Sequence, residues 1–197
     1  MTALIDENAF GVFVLLYDIA DLEYGSEPAS FVATFTQFRE LLLSRAHEQP
    51  FGAGVTALDL GHGVYFEVGD GDHAVDPIVW SKALCAPLLE AGFQLSAILT
   101  HGGRWTDPDS GVLSEVGPSG KAYRLLRVSH PSEPFQRALV ASAHCHTSDA
   151  ENGWGQGLYV DTEAIEALGK MPKNQPTLLE AAGVTFYRLS LNSPVRA

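Results

Sequence analysis

The sequence has few cysteines and few basic residues, and it has no long hydrophobic run. Only Cys85 and Cys145 occur among 197 residues, which excludes a small scaffold held together by several disulfides. Twelve lysines and arginines stand against 24 aspartates and glutamates, and the formal charge of −12 disfavours binding to nucleic acid or to an anionic membrane. No apolar stretch reaches the length of a membrane span and no secretory leader is evident, so we expect a cytoplasmic protein.

The composition is that of an ordinary globular domain. Hydrophobic residues make up 46% of the chain, enough apolar material for one core, and no linker or internal repeat divides it. We therefore expect a single domain over residues 1–197. An acidic chain can still bind a nucleotide locally, through backbone N–H groups, a few arginines and a divalent cation held by carboxylates.

Hydrophobic patterns predict alternating strands and helices. An apolar run at residues 10–18 is typical of a strand buried on both faces, and it ends in Asp18. Residues 54–70 predict a β-hairpin with Gly61-His62-Gly63 at its tip. The remaining patterns predict helices at 28–46, 77–92, 120–130 and 161–170, a helical turn at 178–182, and strands at 93–101, within 111–120, at 137–146 and at 184–191.

The order of these elements is β-α-β-β-α-β, followed by further α and β elements. In such a unit the first and third strands lie side by side at the centre of the sheet. The end of the first strand and the tip of the hairpin then meet. We therefore expect Asp18 and His62 to be neighbours.

Several segments, taken in order, are similar to one known family. They are LYDIADL at residues 16–22, LGHGVYFEV at 60–68, EAGFQLSAILTHGG at 90–103, SGKAYRLLRVSHPSEPFQRALVASA at 119–143 and VTFYRLSL at 184–191. Together they resemble the catalytic domain of class III nucleotidyl cyclases. The Ala-Tyr-Arg-Leu portion at 122–125 resembles the short stand-alone bacterial cyclases, some of which make cyclic pyrimidine nucleotides.

The resemblance implies a fold, an assembly and a chemistry. The implied fold is an α+β sandwich with a ferredoxin-like core and helices on one face of a mainly antiparallel sheet. The implied assembly is a homodimer with sites between two subunits. Cyclisation drives the ribose 3′-oxygen of a nucleoside triphosphate onto the α-phosphorus and releases pyrophosphate, normally with two Mg²⁺ or Mn²⁺ ions.

The family's metal ions are held by two aspartates, and this sequence matches only one of them. Asp18 matches the first, whereas His62 stands where the second belongs, and a neutral imidazole is a poor ligand for Mg²⁺. Asp59 or Asp21 are the other carboxylates that could complete the site. Without such a ligand no metal cofactor is expected.

The resemblance also assigns nucleotide-binding and catalytic positions. It places Arg127 at the family's transition-state arginine, with Tyr123 replacing an asparagine; a shift of one residue would promote Arg124 and lose the arginine. Leu58 stands where a base-reading lysine or glutamate is usual, and Glu115 is a possible base contact. The loop after the first strand adds Ile19, Ala20 and Asp21 as nucleotide-binding candidates.

Two functions remain open at this point. The first is a divergent cyclase-like protein with an incomplete two-metal site, which binds a nucleotide and has weak or no cyclase activity. The alternative is an active cyclase that makes a 3′,5′-cyclic nucleotide signal, with Asp59, Asp21 or His62 completing the metal site. Losing one charge-stabilising group typically costs ~10²–10³ in rate, so three changed positions favour the first.

Overall fold

The computed structural model describes eleven segments of the chain. They are residues 7–17, 25, 27–46, 56–60, 62–70, 75–104, 113–116, 122–125, 132–145, 153–169 and 177–191. These segments contain nine strands and four helices. The strands are β1 (Glu7–Leu16), β2 (Thr56–Asp59), β3 (Gly63–Gly69), β4 (Leu95–Arg104), β5 (Leu113–Val116), β6 (Ala122–Leu125), β7 (Gly157–Asp161), β8 (Thr177–Ala181) and β9 (Val184–Leu189), and the helices are α1 (Pro28–Ala46), α2 (Pro77–Glu90), α3 (Glu133–Cys145) and α4 (Thr162–Leu168).

The nine strands form one mixed, mainly antiparallel sheet. Their order across the sheet is β5-β6-β2-β3-β1-β4-β7-β9-β8. Strand β1 lies at the centre and pairs antiparallel with both β3 and β4, whereas the β2–β6 and β4–β7 pairs are parallel. The predicted α+β class, the ferredoxin-like core with additional C-terminal elements, and the central pairing of the first and third strands are confirmed.

The side chains of β1 alternate between two hydrophobic layers, as the continuous apolar run predicts. Val12 and Val14 face the layer shared with α1, α2 and α4. Phe13 and Leu15 face a second layer that contains Ala138 and other residues of α3. The prediction that all helices lie on one face is therefore wrong, because α3 covers the opposite face of the sheet.

Two of the predicted helices begin at an aspartate that caps the first turn. Asp76 accepts a hydrogen bond from the N–H of Ile78 at 2.8 Å, and Pro77 opens α2. The side chain of Asp161 caps α4 in the same way, through the N–H of Ala164 at 2.7 Å. Pro87 lies within α2 and does not shorten it.

Three predicted elements are wrong. Within the segment predicted as a helix at 120–130, residues 122–125 form strand β6. In the segment predicted as a strand at 137–146, residues 137–145 belong to helix α3, and in the helical turn predicted at 178–182, residues 178–181 belong to strand β8. Strand β7 was not predicted.

Candidate functional site

The end of β1 and the tip of the β2–β3 hairpin lie next to each other. Leu15 pairs with Gly63, so the first residues of β3 lie against the last residues of β1. The hairpin is closed by a hydrogen bond from the N–H of Leu60 to the carbonyl of Gly63, at 3.0 Å. The predicted adjacency of these two strand ends is confirmed. The predicted site residues that follow β1 lie outside the described residues: Asp18, Ile19, Ala20 and Asp21.

His62, at the hairpin tip, is half-buried against β1. Its ring meets the ring of Phe13 edge-on, with 5.5 Å between the ring centroids. Burial lowers the pKa of His62, although a hydrogen bond with the Leu60 backbone acts in the opposite direction. The imidazole is therefore neutral at pH 7. It presents nitrogen rather than a charged oxygen beside the end of β1.

Asp59, the other described metal candidate, is already paired with a cation. Its carboxylate forms an ion pair with the guanidinium of Arg39 on α1. The pair joins the end of β2 to the helix that packs across the sheet. An uncharged imidazole and an ion-paired carboxylate do not fit a site for two Mg²⁺ ions, which prefer several oxygen ligands. Within the described ranges, no three histidine, cysteine, aspartate or glutamate residues are grouped closely enough to hold a metal ion.

Replacing Asp59 by asparagine is expected to cost little. The Arg39–Asp59 pair is partly exposed, and such pairs contribute roughly 0–1 kcal/mol to the free energy of unfolding. Urea unfolding of the Asp59→Asn variant should therefore give a stability within about 1 kcal/mol of the parent chain. Nucleotide affinity should also stay unchanged. A large loss of affinity in this variant would instead identify Asp59 as a ligand.

Three of the other predicted positions lie on neighbouring strands. Leu58 of β2 is half-buried, and it packs beside the layer that contains Phe13. Glu115 of β5 pairs with Tyr123 of β6, and β6 in turn pairs with β2 next to Leu58. The structure thus places Leu58, Glu115 and Tyr123 on three adjacent strands at one edge of the sheet. Tyr123 lies on a strand and not on the helix predicted at 120–130, and Arg127 lies outside the described residues.

Helix α3 packs on the same face of the sheet as Leu58, and it carries an arginine that the sequence analysis did not identify. Arg137 is the one arginine of α3, and its Nε donates to Oδ2 of Asp161 at 2.9 Å. Its side chain is 17% exposed, so the guanidinium points toward the sheet. A serine followed by Glu133-Pro134 is a helix-start signal that could have located α3.

Asp161 joins three elements. Its carboxylate is fully buried, and it accepts from Arg137 of α3, from the N–H of Ala164 in α4, and from the N–H of His101 in β4 at 3.3 Å. Burial raises the pKa of Asp161 to about 6, although the hydrogen bond from Ala164 and the charge of Arg137 act in the opposite direction. The folded chain thus binds a proton at this position more tightly than the unfolded chain does.

The pH dependence of stability follows from this shift. A folded-state pKa above the ordinary 3.8 gives a stabilising contribution that is complete below pH 3.8 and is lost as the pH rises through about 6. At 1.36 kcal/mol per pKa unit, the loss is on the order of 3 kcal/mol. The difference in unfolding free energy between the parent chain and an Asp161→Asn variant should fall across this window. A flat difference would contradict the shift.

Comparisons with known proteins identify the fold. No family model matches the chain, and no curated protein matches it in sequence. Solved structures do match it. The adenylyl cyclase CyaB from P. aeruginosa superposes with a TM-score of 0.58 at 10% identity, over 92% of this chain and 93% of that one. The chain has the fold of a class III nucleotidyl cyclase catalytic domain.

Two fungal guanylyl cyclase domains share this cyclase fold. A dimeric domain of the RhoGC fusion protein from Blastocladiella emersonii matches with a TM-score of 0.56 at 13% identity, over 93% of this chain and 97% of that one. The domain of RhGC from Catenaria anguillulae, solved in complex with GTP, matches with a TM-score of 0.54 at 12% identity, with the same coverage. At these identities the likeness establishes the cyclase fold and leaves the activity to be tested. None of the described helices has the length and apolar character needed to cross a membrane.

Proposed function

We propose that this chain is a nucleotide-binding protein of the cyclase fold that has weak or no cyclase activity. The observation that carries the proposal is the half-buried imidazole of His62 beside the end of β1, where the resemblance calls for a second carboxylate. Asp59 is tied to Arg39, which removes the other described carboxylate near the hairpin tip from this role.

The arginine of α3 supports the same proposal. In the family the helix after the glycine turn carries the transition-state arginine, and α3 is the helix that follows the corresponding part of this chain. Its Arg137 is bonded inward to Asp161 and is mostly buried. A guanidinium held in this way is not free to stabilise charge that develops on a phosphate bound outside the subunit.

A direct experiment separates binding from turnover. Each of the four ribonucleoside triphosphates is added with Mg²⁺ or Mn²⁺, and both the unfolding temperature and the release of pyrophosphate are measured. We expect one nucleotide to stabilise the fold, by about 2.7 kcal/mol at 100 times its Kd, with pyrophosphate at background. Turnover that disappears in Asp18→Ala would instead establish an active cyclase whose metal site is completed by Asp21, Asp59 or His62. The absence of both stabilisation and turnover with all four nucleotides would refute the proposal.

We also propose that the chain forms a homodimer through the outer face of α3. Leu139 and Val140 are 42% and 39% exposed on that face, and they are among the few exposed large hydrophobic residues of the described chain. Sedimentation over a range of concentrations should show a dimer in the parent chain. A Leu139→Glu variant should shift it toward monomer, whereas Leu178→Glu, at a still more exposed position on β8 (59%), should not. A monomeric parent chain would contradict this assembly.

A further inference from the structure

A buried glutamate lies under the first turn of α3. Glu67 of β3 is only 5% exposed, and its Oε2 accepts hydrogen bonds from the hydroxyl of Tyr65 at 2.7 Å and from the hydroxyl of Ser132 at 2.5 Å. Burial raises the pKa of Glu67, and the two hydroxyl donors act against this rise. A carboxylate on the inner face of a central strand is costly unless it is hydrogen-bonded. The two hydrogen bonds from hydroxyl groups therefore stabilise the buried Glu67 side chain.

Ser132 connects this carboxylate to the start of α3. While its hydroxyl donates to Glu67, the same oxygen accepts from the N–H of Phe135 at 3.3 Å, and its carbonyl accepts from the N–H of Gln136 at 3.0 Å. This is the bonding of a helix N-cap. The residue that begins the helix is thus the residue that Glu67 holds.

The other directional contacts of α3 reinforce this attachment. Thr100 of β4 donates to the carbonyl of Pro134 at 2.8 Å, and Glu133 accepts from the N–H of Gly103 at 2.9 Å. The ring of Phe135 meets Tyr65 edge-on, with 4.9 Å between centroids. Later in the helix, the residues that face the sheet are small: Ala138, Ala141, Ser142 and Cys145. Small residues fix a helix less firmly than hydrogen bonds do, so the first turn, together with the Arg137–Asp161 pair that follows it, determines where α3 lies.

We propose that Glu67 is a positioning residue that fixes the start of α3 on the sheet through Ser132, and so determines where the outer face of that helix stands. The inference rests on the proposed function, in which the outer face of α3 is presented to a second subunit and the nucleotide binds between the two subunits, as the resemblance implies. Glu67 and Ser132 are 65 residues apart in the chain, so no local preference supplies this contact.

The test compares two buried serines of the same helix. Ser132→Ala removes the hydroxyl that reaches Glu67, and Ser132→Thr retains one. Ser142→Ala is the matched control, because Ser142 donates only within its own helix, to the carbonyl of Leu139 at 2.7 Å. Amide hydrogen exchange is measured for α3 and for α2, in the parent chain and in a Glu67→Gln background.

We expect Ser132→Ala to accelerate exchange in α3 by roughly tenfold or more, as loss of a hydrogen bond to a charged group would, with α2 changed much less. Ser132→Thr should restore the parent rate, and Ser142→Ala should alter it little. In the Glu67→Gln background, Ser132→Ala should have a much smaller effect. Equal acceleration of α2 and α3, or the same effect of Ser132→Ala in both backgrounds, would overturn the positioning role.

Nucleotide affinity provides the second readout. Ser132→Ala should weaken the binding of whichever nucleoside triphosphate stabilises the parent chain, and Ser132→Thr should recover it. An unchanged affinity in Ser132→Ala would show that the position of α3 does not matter for the ligand and would overturn that part of the inference. If the parent chain binds no nucleotide, the proposed function fails, whereas the exchange pattern still decides whether Glu67 positions α3.

Discussion

Replacing Asp161 by alanine is expected to destabilise the folded chain by about 3–5 kcal/mol, the cost of removing one partner from a buried ion pair. The substitution leaves the mostly buried Arg137 guanidinium without its carboxylate, which is the main part of the cost. It also removes the N-cap of α4, which contributes about 1 kcal/mol, and one acceptor for the N–H of His101. The measurement is urea unfolding at pH 7.

Asp70 provides the matched control for this prediction. Its carboxylate also contacts His101, through Nε2 at 3.0 and 3.1 Å, but its side chain is 42% exposed. An exposed pair of this kind contributes roughly 0–1 kcal/mol, so Asp70→Ala should change stability little. Equal losses in Asp161→Ala and Asp70→Ala would show that burial of the Arg137–Asp161 pair is not what makes Asp161 important.

The parts of the fold that could be predicted from the sequence carry strong local signals. The apolar run of β1, the helical repeat of α1 and the aspartate–proline start of α2 are each complete within a short window of sequence. The Gly61-His62-Gly63 turn likewise lies between two clear strand patterns. The central pairing of β1 and β3 follows from the order of the elements, so the meeting of the β1 end and the hairpin tip was predictable as well.

The errors lie where the local signal is short or ambiguous. Strand β6 has only four residues, and its pairing with β2 comes from a distant part of the chain. The small residues of α3 pack on the sheet at helical spacing, yet read in sequence beside Val140 they also suit a strand. The β8–β9 hairpin turns at Ala182 and Gly183, which both have positive φ, and the alanine hides the usual turn signal.

The location of the candidate site could be predicted from the sequence, but the contacts that its residues make could not. Sequence placed His62 at the hairpin tip, and the structure confirms that position. The partners that decide what the charged groups do are distant in the chain. Asp59 is paired with Arg39, Arg137 with Asp161, and Glu67 with Ser132. Each of these pairings depends on how a helix crosses the sheet, which hydrophobic patterns do not specify.

The three pairings Asp59–Arg39, Arg137–Asp161 and Glu67–Ser132 together limit which polar groups can reach a ligand. The polar side chains that could serve a phosphate or a metal near the hairpin tip and along α3 are used to attach helices to the sheet. Stabilising charge on a bound phosphate or metal requires such groups to be aimed at the ligand. These pairings support our proposal of a nucleotide-binding role with weak or no cyclase activity, which the pyrophosphate measurement tests.

Replacing Gly11 by alanine is expected to be as damaging as Asp161→Ala, for a different reason. A Cβ at this position of β1 would lie 2.7 Å from two ring carbons of Tyr65 and still closer to its hydroxyl. The Tyr65 side chain cannot move freely, because its hydroxyl donates to Glu67 and its ring packs against Phe135. Overpacking of this severity costs about 3 kcal/mol or more. Thermal unfolding should show the loss directly.

A smaller residue at position 65 should relieve the Gly11→Ala defect, since all three nearest neighbours of the added Cβ belong to Tyr65. In a Tyr65→Leu background we therefore expect Gly11→Ala to cost at least ~1 kcal/mol less than it does alone. Gly63→Ala is the comparison, because its added Cβ would lie 2.6 Å from the carbonyl oxygen of Val14 as well as from the ring of Phe13. Trimming Phe13 to leucine cannot move that backbone oxygen, so the Gly63→Ala defect should persist. If Gly11→Ala lowers the free energy of unfolding equally in the parent chain and in the Tyr65→Leu variant, then the loss arises in the backbone of β1. It would not arise from contact between the added Cβ and Tyr65.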